Sequence, residues 1–406
     1  MSAPAPALTV ADALALVLKG VTPTKAAQRC SLLDAAGRVL ASPLAARLTQ
    51  PPFNASAMDG YAVRAADVAT VPARLQVTGE SAAGHGFRGE MKPGEAIRIF
   101  TGAPIPAGAD AIVIQEDTTR DGDRVTVHDG TIDPSYIRPW GGDFKTGDEL
   151  LSAGRRLTPR DITLAAAMGH AELVVRRPPR VGILATGDEL VLPGITPQTD
   201  QIVCSNTFGI AAMVRAAGGE PVLLGIAADT AQSLQQKVDE ASTCDILVTA
   251  GGASVGDHDL VAPVLTARGM SLDFWKIAMR PGKPLMFGHL GPQRVLGLPG
   301  NPVSSLVCAR LFLVPLVRAL LGLTPEPDRT LSARTTQPLS ANGPRAHYMR
   351  ATSRTAADGQ TEVTPVRSQD SSLMSPMAQA DCLIVRTINE PARAAGAMVP
   401  ILQLDF

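Results

Sequence analysis

Polar side chains that could bind a charged ligand follow four short apolar runs in the second half of the chain. Each run is typical of a buried strand, and the polar segments contain glycines, hydroxyls and carboxylates. Ligands in an open parallel sheet bind beyond the carboxyl ends of the strands, so this placement predicts one site for a polyanion and a metal ion. In chain order the segments are Thr186-Gly187-Asp188-Glu189, Asp229, the stretch 251–259, and Pro299-Gly300-Asn301-Pro302.

Two of these segments could hold an anion through backbone amides. In the glycine-rich stretch 251–256, the missing side chains would let N–H groups approach a phosphate. A helix start at Asn301-Pro302 would direct amides at an anion. Each segment alone is equally well explained as a tight structural turn, whereas their occurrence together favours binding. The residues concerned are Gly251, Gly252, Ser254 and Gly256 in the first, and Pro299, Asn301, Pro302, Ser304 and Ser305 in the second.

Binding by these amides would need added positive charge. The electrostatic field at a helix terminus contributes only about 0.3–1 kcal/mol. Lys276, Arg280 and Lys283 lie between the third and fourth segments and could supply cations.

Carboxylates in the same segments suggest a hard divalent cation. Magnesium takes one or two protein carboxylates and completes its coordination with water and substrate phosphate, and such oxygen ligands argue against zinc. Each carboxylate alone could be a helix cap or a solvated charge, and we favour that interpretation for Asp188 and Asp257. The expected metal ligands are Glu189, Asp229 and Asp259. The histidines show no metal-ligand spacing.

Composition indicates an ordinary soluble globular protein of 406 residues, with 45% hydrophobic and 18% charged residues. A net charge of -1 without Lys/Arg runs gives no reason to expect nucleic acid. Five scattered cysteines without a C-x-x-C pair fit a reducing compartment. We found no signal-peptide pattern, and Arg310, Pro315 and Arg318 interrupt the most apolar stretch. We therefore expect a cytoplasmic protein without a membrane span.

The residue pattern changes several times along the chain, and these changes predict a multidomain α/β protein. Helices are expected from Thr9 and from Thr158, and short alternating runs such as 96–100 and 111–114 predict strands. Strands alternating with helices from residue 178 predict a doubly wound parallel sheet. Short alternating pieces after Pro325 predict a β-barrel or sandwich. The predicted division is a helical and extended domain at 1–50 plus 144–177, an inserted β-rich module at 51–143, the α/β domain at 178–325, and the barrel at 326–406.

Several blocks in fixed order resemble one known family. Pro51-Pro52-Phe53-Asn54-Ala55-Ser56-Ala57-Met58-Asp59-Gly60-Tyr61-Ala62 is similar to the signature P-x-F-x-x-S-x-M-D-G-Y-A of the MoeA/gephyrin E-domain family of molybdopterin molybdenumtransferases. Arg98 to Pro104 and Gly108 to Val113 match the next block. The segments at 186–189, 251–259, 281–284 and 298–304 match the later blocks in order. The resemblance covers nearly the whole chain, and its α/β domain implies a MogA-like fold.

The resemblance implies an enzyme of molybdenum cofactor biosynthesis. Its substrates would be adenylyl-molybdopterin and molybdate, and molybdenum would enter the dithiolene while AMP is released. A divalent ion would assist, and the oxygen ligands above favour Mg²⁺. The family implies a homodimer whose active site lies between the sheet domain of one subunit and the Asp59 module of the other. Transient contact with the upstream adenylyltransferase and with apo-molybdoenzymes is a further expectation, with no nucleic acid and no membrane.

Functional residues carry over from the family motifs. Asp59 and Asp143 would lie near a tetra-oxoanion that repels them unless a metal or proton intervenes, so we hypothesise that they donate protons to departing molybdate oxygens. Arginine and lysine suit phosphate and molybdate. The polar set implied is Asp59, Thr101, Asp143, Glu189, Asp229 and Asp259, and the anion-binding set is Lys276, Arg138, Arg280, Arg350 and Ser371.

The chain departs from the family pattern at two places. Arg280 stands where lysine is common, which replaces a compact ammonium by a planar fork. Asp370-Ser371-Ser372 stands where Gly-Ser-Gly is usual, which adds a carboxylate and removes two glycines.

Two rival functions compete with this one. The sheet domain alone also resembles molybdopterin adenylyltransferases and CinA-type nucleotide hydrolases, but neither would bring the Met58-Asp59-Gly60-Tyr61 module. Gephyrin also clusters receptors, so the second rival is a scaffold, which a copurifying receptor-like partner would support.

Overall fold

The computed structural model describes residues 8–252, 260–324 and 330–405. It divides into two compact units. We call Arg29–Val175 the inserted unit, and Met1–Gln28 together with Arg176–Phe406 the main unit. The four-part division expected from the sequence is finer than this and stays a prediction.

Helix starts in the first part of the chain follow local signals. Thr9 caps α1 (Val10–Leu18) by accepting a hydrogen bond from the Asp12 backbone N–H, as predicted. Thr158 and Asp161 form a reciprocal capping box at the start of α2 (Pro159–Ala167). Single 3-10 turns lie at Ala65–Asp67, Gln115–Asp117 and Pro134–Tyr136. The strands are β1 Ala27–Ser31, β2 Leu44–Ala45, β3 Ala55–Ser56, β4 Gly60–Val63, β5 Ala73–Ser81, β6 Glu95–Ile99, β7 Ala111–Ile114, β8 Thr118–Asp121, β9 Arg124–Val127, β10 Ile137–Arg138, β11 Glu149–Leu151 and β12 Glu172–Arg176.

The main sheet of the inserted unit has the strand order β7-β4-β6-β5-β9-β8. Strand β4 runs antiparallel to both of its neighbours, with Gly60 opposite Ile99 of β6. Its side chains are buried on both faces, because Tyr61 packs into one hydrophobic cluster and Ala62 into another. The antiparallel pairing brings the residues just before β4 next to those just after β6. Asp59 and Thr101 occupy these two positions.

The remaining elements belong to the main unit. Helices are α3 Asn206–Ala217, α4 Ala231–Glu240, α5 Val261–Ala267, α6 Pro302–Cys308, α7 Val314–Leu320 and α8 Met374–Gln379, with a π-helical turn at Ala309–Leu313 and a 3-10 turn at Ala241–Thr243. Strands are β13 Arg180–Thr186, β14 Leu190–Val191, β15 Ile202–Val203, β16 Glu220–Ala227, β17 Ile246–Ala250, β18 Ser271–Trp275, β19 Met279–Arg280, β20 Met286–Leu290, β21 Gln293–Leu298, β22 Leu331–Thr335, β23 Ala346–Thr355, β24 Thr361–Pro365, β25 Cys382–Arg386 and β26 Met398–Gln403.

The predicted doubly wound sheet is confirmed, with an addition. Its order is β16-β13-β17-β21-β20-β18, and the first four strands are parallel. Strands β20 and β18 extend it as an antiparallel edge. Only Gly291 and Pro292 separate β20 from β21, and so short a connection requires antiparallel neighbours. The sequence pattern did not predict this edge.

The predicted C-terminal barrel is also confirmed. Strands follow the order β23-β24-β22-β26-β25, and pairing of β25 with β23 closes the ring. Its interior is filled by small and branched side chains, among them Ala333, Val363 and Ile384. Strand β19 pairs with β23, which sets Arg280 opposite His347. The segment that carries Arg280 is therefore fixed to the barrel.

One helical run among the described residues, Pro302–Leu320, is long and apolar enough to cross a membrane. It is 83% buried within the protein. Burial of this kind is what a core helix of a folded domain shows.

Candidate functional site

A cavity of about 1060 Å³ lies in the main unit at the carboxyl ends of the parallel strands. Its volume is that of a site for a small organic ligand. The walls come from the ends of β13, β17 and β21, from the start of α6 and from two loops of the barrel. The predicted residues that line it are Thr186, Glu189, Asp229, Gly251, Gly252, Arg280, Pro299, Asn301, Pro302 and Ser371.

Gly251 and Gly252 form the tight turn after β17. Both have positive φ, at 105° and 63°, where any other residue is strained. A side chain on Gly251 would also meet the backbone oxygen of Thr186. The need for glycine here is explained by close packing of neighbouring strand ends. The other predicted residues of this loop, Ser254, Gly256 and Asp259, lie outside the described residues, as does Asp257.

Two carboxylates predicted as metal ligands border the cavity. The Glu189 side chain occupies the space that a side chain on Gly187 would fill. Asp188 and Asp229 face each other, since each carboxylate accepts the backbone N–H of the other residue, at 3.0 and 3.4 Å. Asp188 thus shapes the turn, as its sequence suggested. The described residues contain no group of three or more potential metal ligands. The third predicted ligand, Asp259, lies outside the described residues.

Three cations line the cavity: Arg280, Lys283 and Arg345. Within residues 8–252, 260–324 and 330–405 none of them has an ion-pair partner. Arg345 was missed at the sequence level because it lies in none of the motif blocks used there; it directly precedes the barrel strand β23. Lys276, predicted in the anion-binding set, is exposed and is not among the described residues that line this cavity.

The positive charge here acts on a buried histidine. His347 is 9% exposed and lies opposite Arg280 in one pairing and Arg386 in another. Burial, together with the charges of Arg280, Arg386, Arg345 and Arg350, lowers the pKa of His347 to about 4. The imidazole is therefore neutral at physiological pH.

A loop of the barrel, residues 368–373, carries Ser371 into the cavity wall. Asn301 Nδ2 donates to the Ser371 hydroxyl at 3.0 Å, and the Val303 N–H donates to the Ser371 carbonyl at 3.1 Å. The Asp370 carboxylate accepts the backbone N–H and the hydroxyl of Ser372, both at 2.9 Å, which lowers the pKa of Asp370. The two residues that replace the usual glycines thus close a turn with their own side chains.

Arg350 holds the same loop from inside the barrel. Its side chain is 1% exposed and donates to the carbonyls of Ser368, Asp370 and Leu373 at 2.8–3.0 Å. These donors are occupied by the backbone. In this arrangement Arg350 shapes the wall around Ser371, and its predicted direct contact with an anion stays a prediction.

Asp59 and Thr101 meet in the inserted unit. The Thr101 backbone N–H and hydroxyl both donate to Asp59 Oδ1 at 2.8 Å, whereas no described residue donates to Oδ2. These two bonds, with a smaller contribution from the charge of Arg98, hold the pKa of Asp59 below its usual range. The carboxylate is therefore ionised at neutral pH, which favours a hydrogen-bond acceptor over the proton donor hypothesised from the sequence.

The other two predicted residues of this unit are exposed. Arg138 lies in β10 and pairs with Ala55 of β3. Ala55 precedes Asp59 by four residues. Asp143 donates its backbone N–H to Gln50 at 3.0 Å. Both side chains are available to a ligand.

Comparison with known proteins covers the chain almost from end to end. Residues 8–169 match a model of the MoeA N-terminal region (domain I and II), residues 182–319 a probable molybdopterin binding domain, and residues 332–404 the MoeA C-terminal region (domain IV).

Individual relatives match along most of their length. The chain is 35% identical to a molybdopterin molybdenumtransferase of Nostoc sp. over 99% of its length and 95% of the relative's. It is 37% identical to one of Haemophilus influenzae, over 91% and 92% of the two chains. The crystal structure of a molybdopterin biosynthesis MoeA protein from Pyrococcus horikosii matches with a TM-score of 0.84 and 27% identity, over 98% of this chain and all of that one.

Proposed function

This chain belongs to the MoeA family of molybdopterin molybdenumtransferases, and we propose that it inserts molybdenum during molybdenum cofactor biosynthesis. The reaction transfers molybdenum from molybdate to the dithiolene of adenylyl-molybdopterin and releases AMP. Both substrates are anions, so the site has to provide positive charge.

The observation that carries this proposal is the cavity with unpaired cations at the carboxyl ends of the sheet. Arg280, Lys283 and Arg345 line it, and none of them forms an ion pair among the described residues, although Glu189, Asp229 and Asp370 also line the cavity. Cations left unpaired at a concave surface favour an anionic ligand, and a guanidinium can bind a phosphate or molybdate through two parallel hydrogen bonds. A volume of about 1060 Å³ can hold a pterin joined to a nucleotide.

Magnesium is part of the proposal, because the donors at the cavity suit it. Glu189 and Asp229 present hard carboxylate oxygens, and a side chain at Gly187 would fill the space where the Glu189 carboxylate lies. Glu189 and Asp229 would hold the ion, together with Asp259. When bound, it would neutralise charge at the pyrophosphate.

Asp59 contributes an oriented, ionised carboxylate. Because Oδ1 is bound by Thr101, Oδ2 is the oxygen that can accept a hydrogen bond from a substrate or a water. We place the enzyme in the cytoplasm and propose that it acts as a homodimer in which the Asp59 module of one copy serves the cavity of the other. We also propose transient contacts with the adenylyltransferase that supplies the substrate and with apo-molybdoenzymes that take the product.

The deciding experiment is incubation of the purified protein with adenylyl-molybdopterin, Mg²⁺ and molybdate. We expect molybdate-dependent AMP release together with activation of an apo-molybdoenzyme. Lys283→Gln should weaken both, whereas Lys237→Gln is the matched control because Lys237 pairs with Glu240 in α4 and does not line the cavity. Adenylylation of free molybdopterin from ATP would assign the chain to the preceding step, and tight binding without turnover would favour a scaffold.

Complementation tests the dimer. Asp59→Asn and Lys283→Gln proteins would be assayed alone and after mixing under exchange. Recovery of activity in the mixture is expected if the two residues serve one site from different copies. A mixture no more active than its components, after exchange has been verified by mass labelling, would contradict the shared site.

A further inference from the structure

Arg98 lies one strand away from Asp59, and its side chain has no assigned role. It sits in β6 directly opposite Tyr61 of β4. Within the described parts of the chain it has no ion-pair partner. A half-buried guanidinium left without a carboxylate needs another explanation, because burying part of a charge costs free energy unless its donors are used.

The donors are used to join the ends of three strands. Arg98 Nη1 donates to the Gly60 carbonyl at 3.1 Å, and Nη2 donates to Gln115 Oε1 at 2.8 Å. Gly60 begins β4, and Gln115 follows β7. The Gln115 backbone N–H in turn donates to the Asp59 carbonyl at 3.1 Å. Arg98 thereby contacts the backbone of Gly60 directly and is linked to the Asp59 carbonyl through Gln115.

Two aromatic rings hold the guanidinium in place. Its carbon lies 5.2 Å from the centre of the Tyr61 ring and 4.7 Å from that of Phe100, both within cation–π range. Tyr61 is 4% exposed and is anchored in a hydrophobic cluster. Phe100 directly precedes Thr101, whose N–H and hydroxyl bind Asp59 Oδ1. The guanidinium is thus clamped between the segment that carries Asp59 and the segment that binds its carboxylate.

We infer that Arg98 is a positioning residue for Asp59: its planar fork and its stacking between Tyr61 and Phe100 fix the direction of the Asp59 carboxylate. The inference rests on the proposed function for what Asp59 does, but the positioning itself can be measured without turnover. A lysine would keep the charge and lose both the fork and the flat stacking surface.

The test compares Arg98→Gln, Arg98→Lys and the control Arg124→Gln, an exposed arginine of β9 in the same sheet. The first readout is the titration of the Asp59 carboxyl carbon in protein labelled with ¹³C-aspartate, assigned through Asp59→Asn. We expect the pKa of Asp59 to rise in both Arg98 variants and to stay unchanged in the control. A rise in Arg98→Lys reports a loosened Thr101 contact, since the positive charge is retained.

The second readout is insertion kinetics. Displacement of a reacting group by about 1 Å can cost about 10²-fold in rate, so kcat should fall by that order in both variants with KM for adenylyl-molybdopterin little changed. If Arg98→Lys restores kcat and the Asp59 titration, charge alone matters and the inference is overturned. Thermal unfolding checks that the variants fold. If Arg98→Gln does not fold, Gln115→Leu replaces it, because this variant removes one acceptor of Arg98. The Asp59 titration should then shift in the same direction. An unchanged Asp59 titration in Gln115→Leu would overturn the inference.

The two proposals fail separately. Wild-type protein without insertion activity would sink the proposed function, while an altered Asp59 titration in the Arg98 variants would still support the positioning role.

Discussion

Asn301 donates its side-chain amide to the hydroxyl of Ser371 at 3.0 Å, joining two residues that lie 70 positions apart in the sequence. Asn301 precedes α6, yet its side chain makes no capping bond to that helix. The amide is used to attach the barrel loop to the edge of the sheet. The wall of the cavity therefore depends on how the barrel docks on the α/β domain within the main unit.

The hydroxyl of Thr101 should control the pH range of activity. Thr101→Val keeps the backbone N–H bond to Asp59 and removes the hydroxyl bond, so the pKa of Asp59 should rise. If the ionised carboxylate is required, activity is lost as the pH falls through that pKa. We therefore expect the acidic limb of the pH–kcat profile to move to higher pH in Thr101→Val and to stay in place in Thr101→Ser. Superimposable acidic limbs for all three proteins would refute this role.

Arg350 should matter for stability more than an exposed arginine of the same strand. Arg350→Met would leave the carbonyls of Ser368, Asp370 and Leu373 without their buried donor, at a cost of about 3 kcal/mol. Arg354→Met is the control, since the side chain of Arg354 is 73% exposed and its ion pair with Glu362 should contribute about 0–1 kcal/mol. Urea unfolding measures both. Equal losses in the two variants would contradict the clamping role of Arg350.

Because the cavity contains cations without ion pairs, binding of adenylyl-molybdopterin should depend on the salt concentration. Removing one cation from an anion site weakens binding most at low ionic strength, because added salt screens the charge. We expect Lys283→Gln and Arg345→Gln each to weaken binding of adenylyl-molybdopterin and to flatten its dependence on salt. Isothermal titration at several NaCl concentrations tests this. An Arg345→Gln protein with wild-type affinity at every concentration would remove Arg345 from the site.

His347 should make the fold less stable in acid. Its folded-state pKa of about 4 lies below the ordinary value of 6.5, so the unfolded chain binds the proton more readily. Between pH 6.5 and 4 the stability therefore falls as the pH falls, by roughly 3 kcal/mol at most. His347→Gln should lose this part of the pH dependence, whereas His85→Gln, at an exposed site, should retain it. Identical pH profiles of the urea midpoint in wild-type and His347→Gln would show that another group is responsible.

The metal proposal predicts different results for two neighbouring carboxylates. Asp229→Asn should raise the Mg²⁺ concentration needed for AMP release, because an amide oxygen is a weaker ligand than a carboxylate. Asp188→Asn should change it little, since its side-chain oxygen can still accept the Asp229 N–H. A titration of activity with Mg²⁺ after EDTA treatment makes the comparison. Equal Mg²⁺ requirements for the wild type and Asp229→Asn would exclude Asp229 as a ligand.

Local sequence signals were enough to predict the main elements and the edge of the sheet where the cavity lies. Thr9 and Thr158, from which helices were predicted, cap α1 and α2. These signals are local, since a cap or a hydrophobic period involves residues a few positions apart. Family motifs located Asp59 and Thr101, which do meet.

Which side chains are available to a ligand depends on tertiary packing and could not be predicted from the sequence. Arg345 and Arg350 are five residues apart, yet one lines the cavity and the other is buried. Arg345 directly precedes β23, whereas Arg350 lies within that strand, where its guanidinium donates to carbonyls of the loop 368–373. The Asn301–Ser371 bond likewise depends on two partners that are distant in sequence. Hydrogen-bond partners of this kind are set by packing between elements, which a local pattern does not encode.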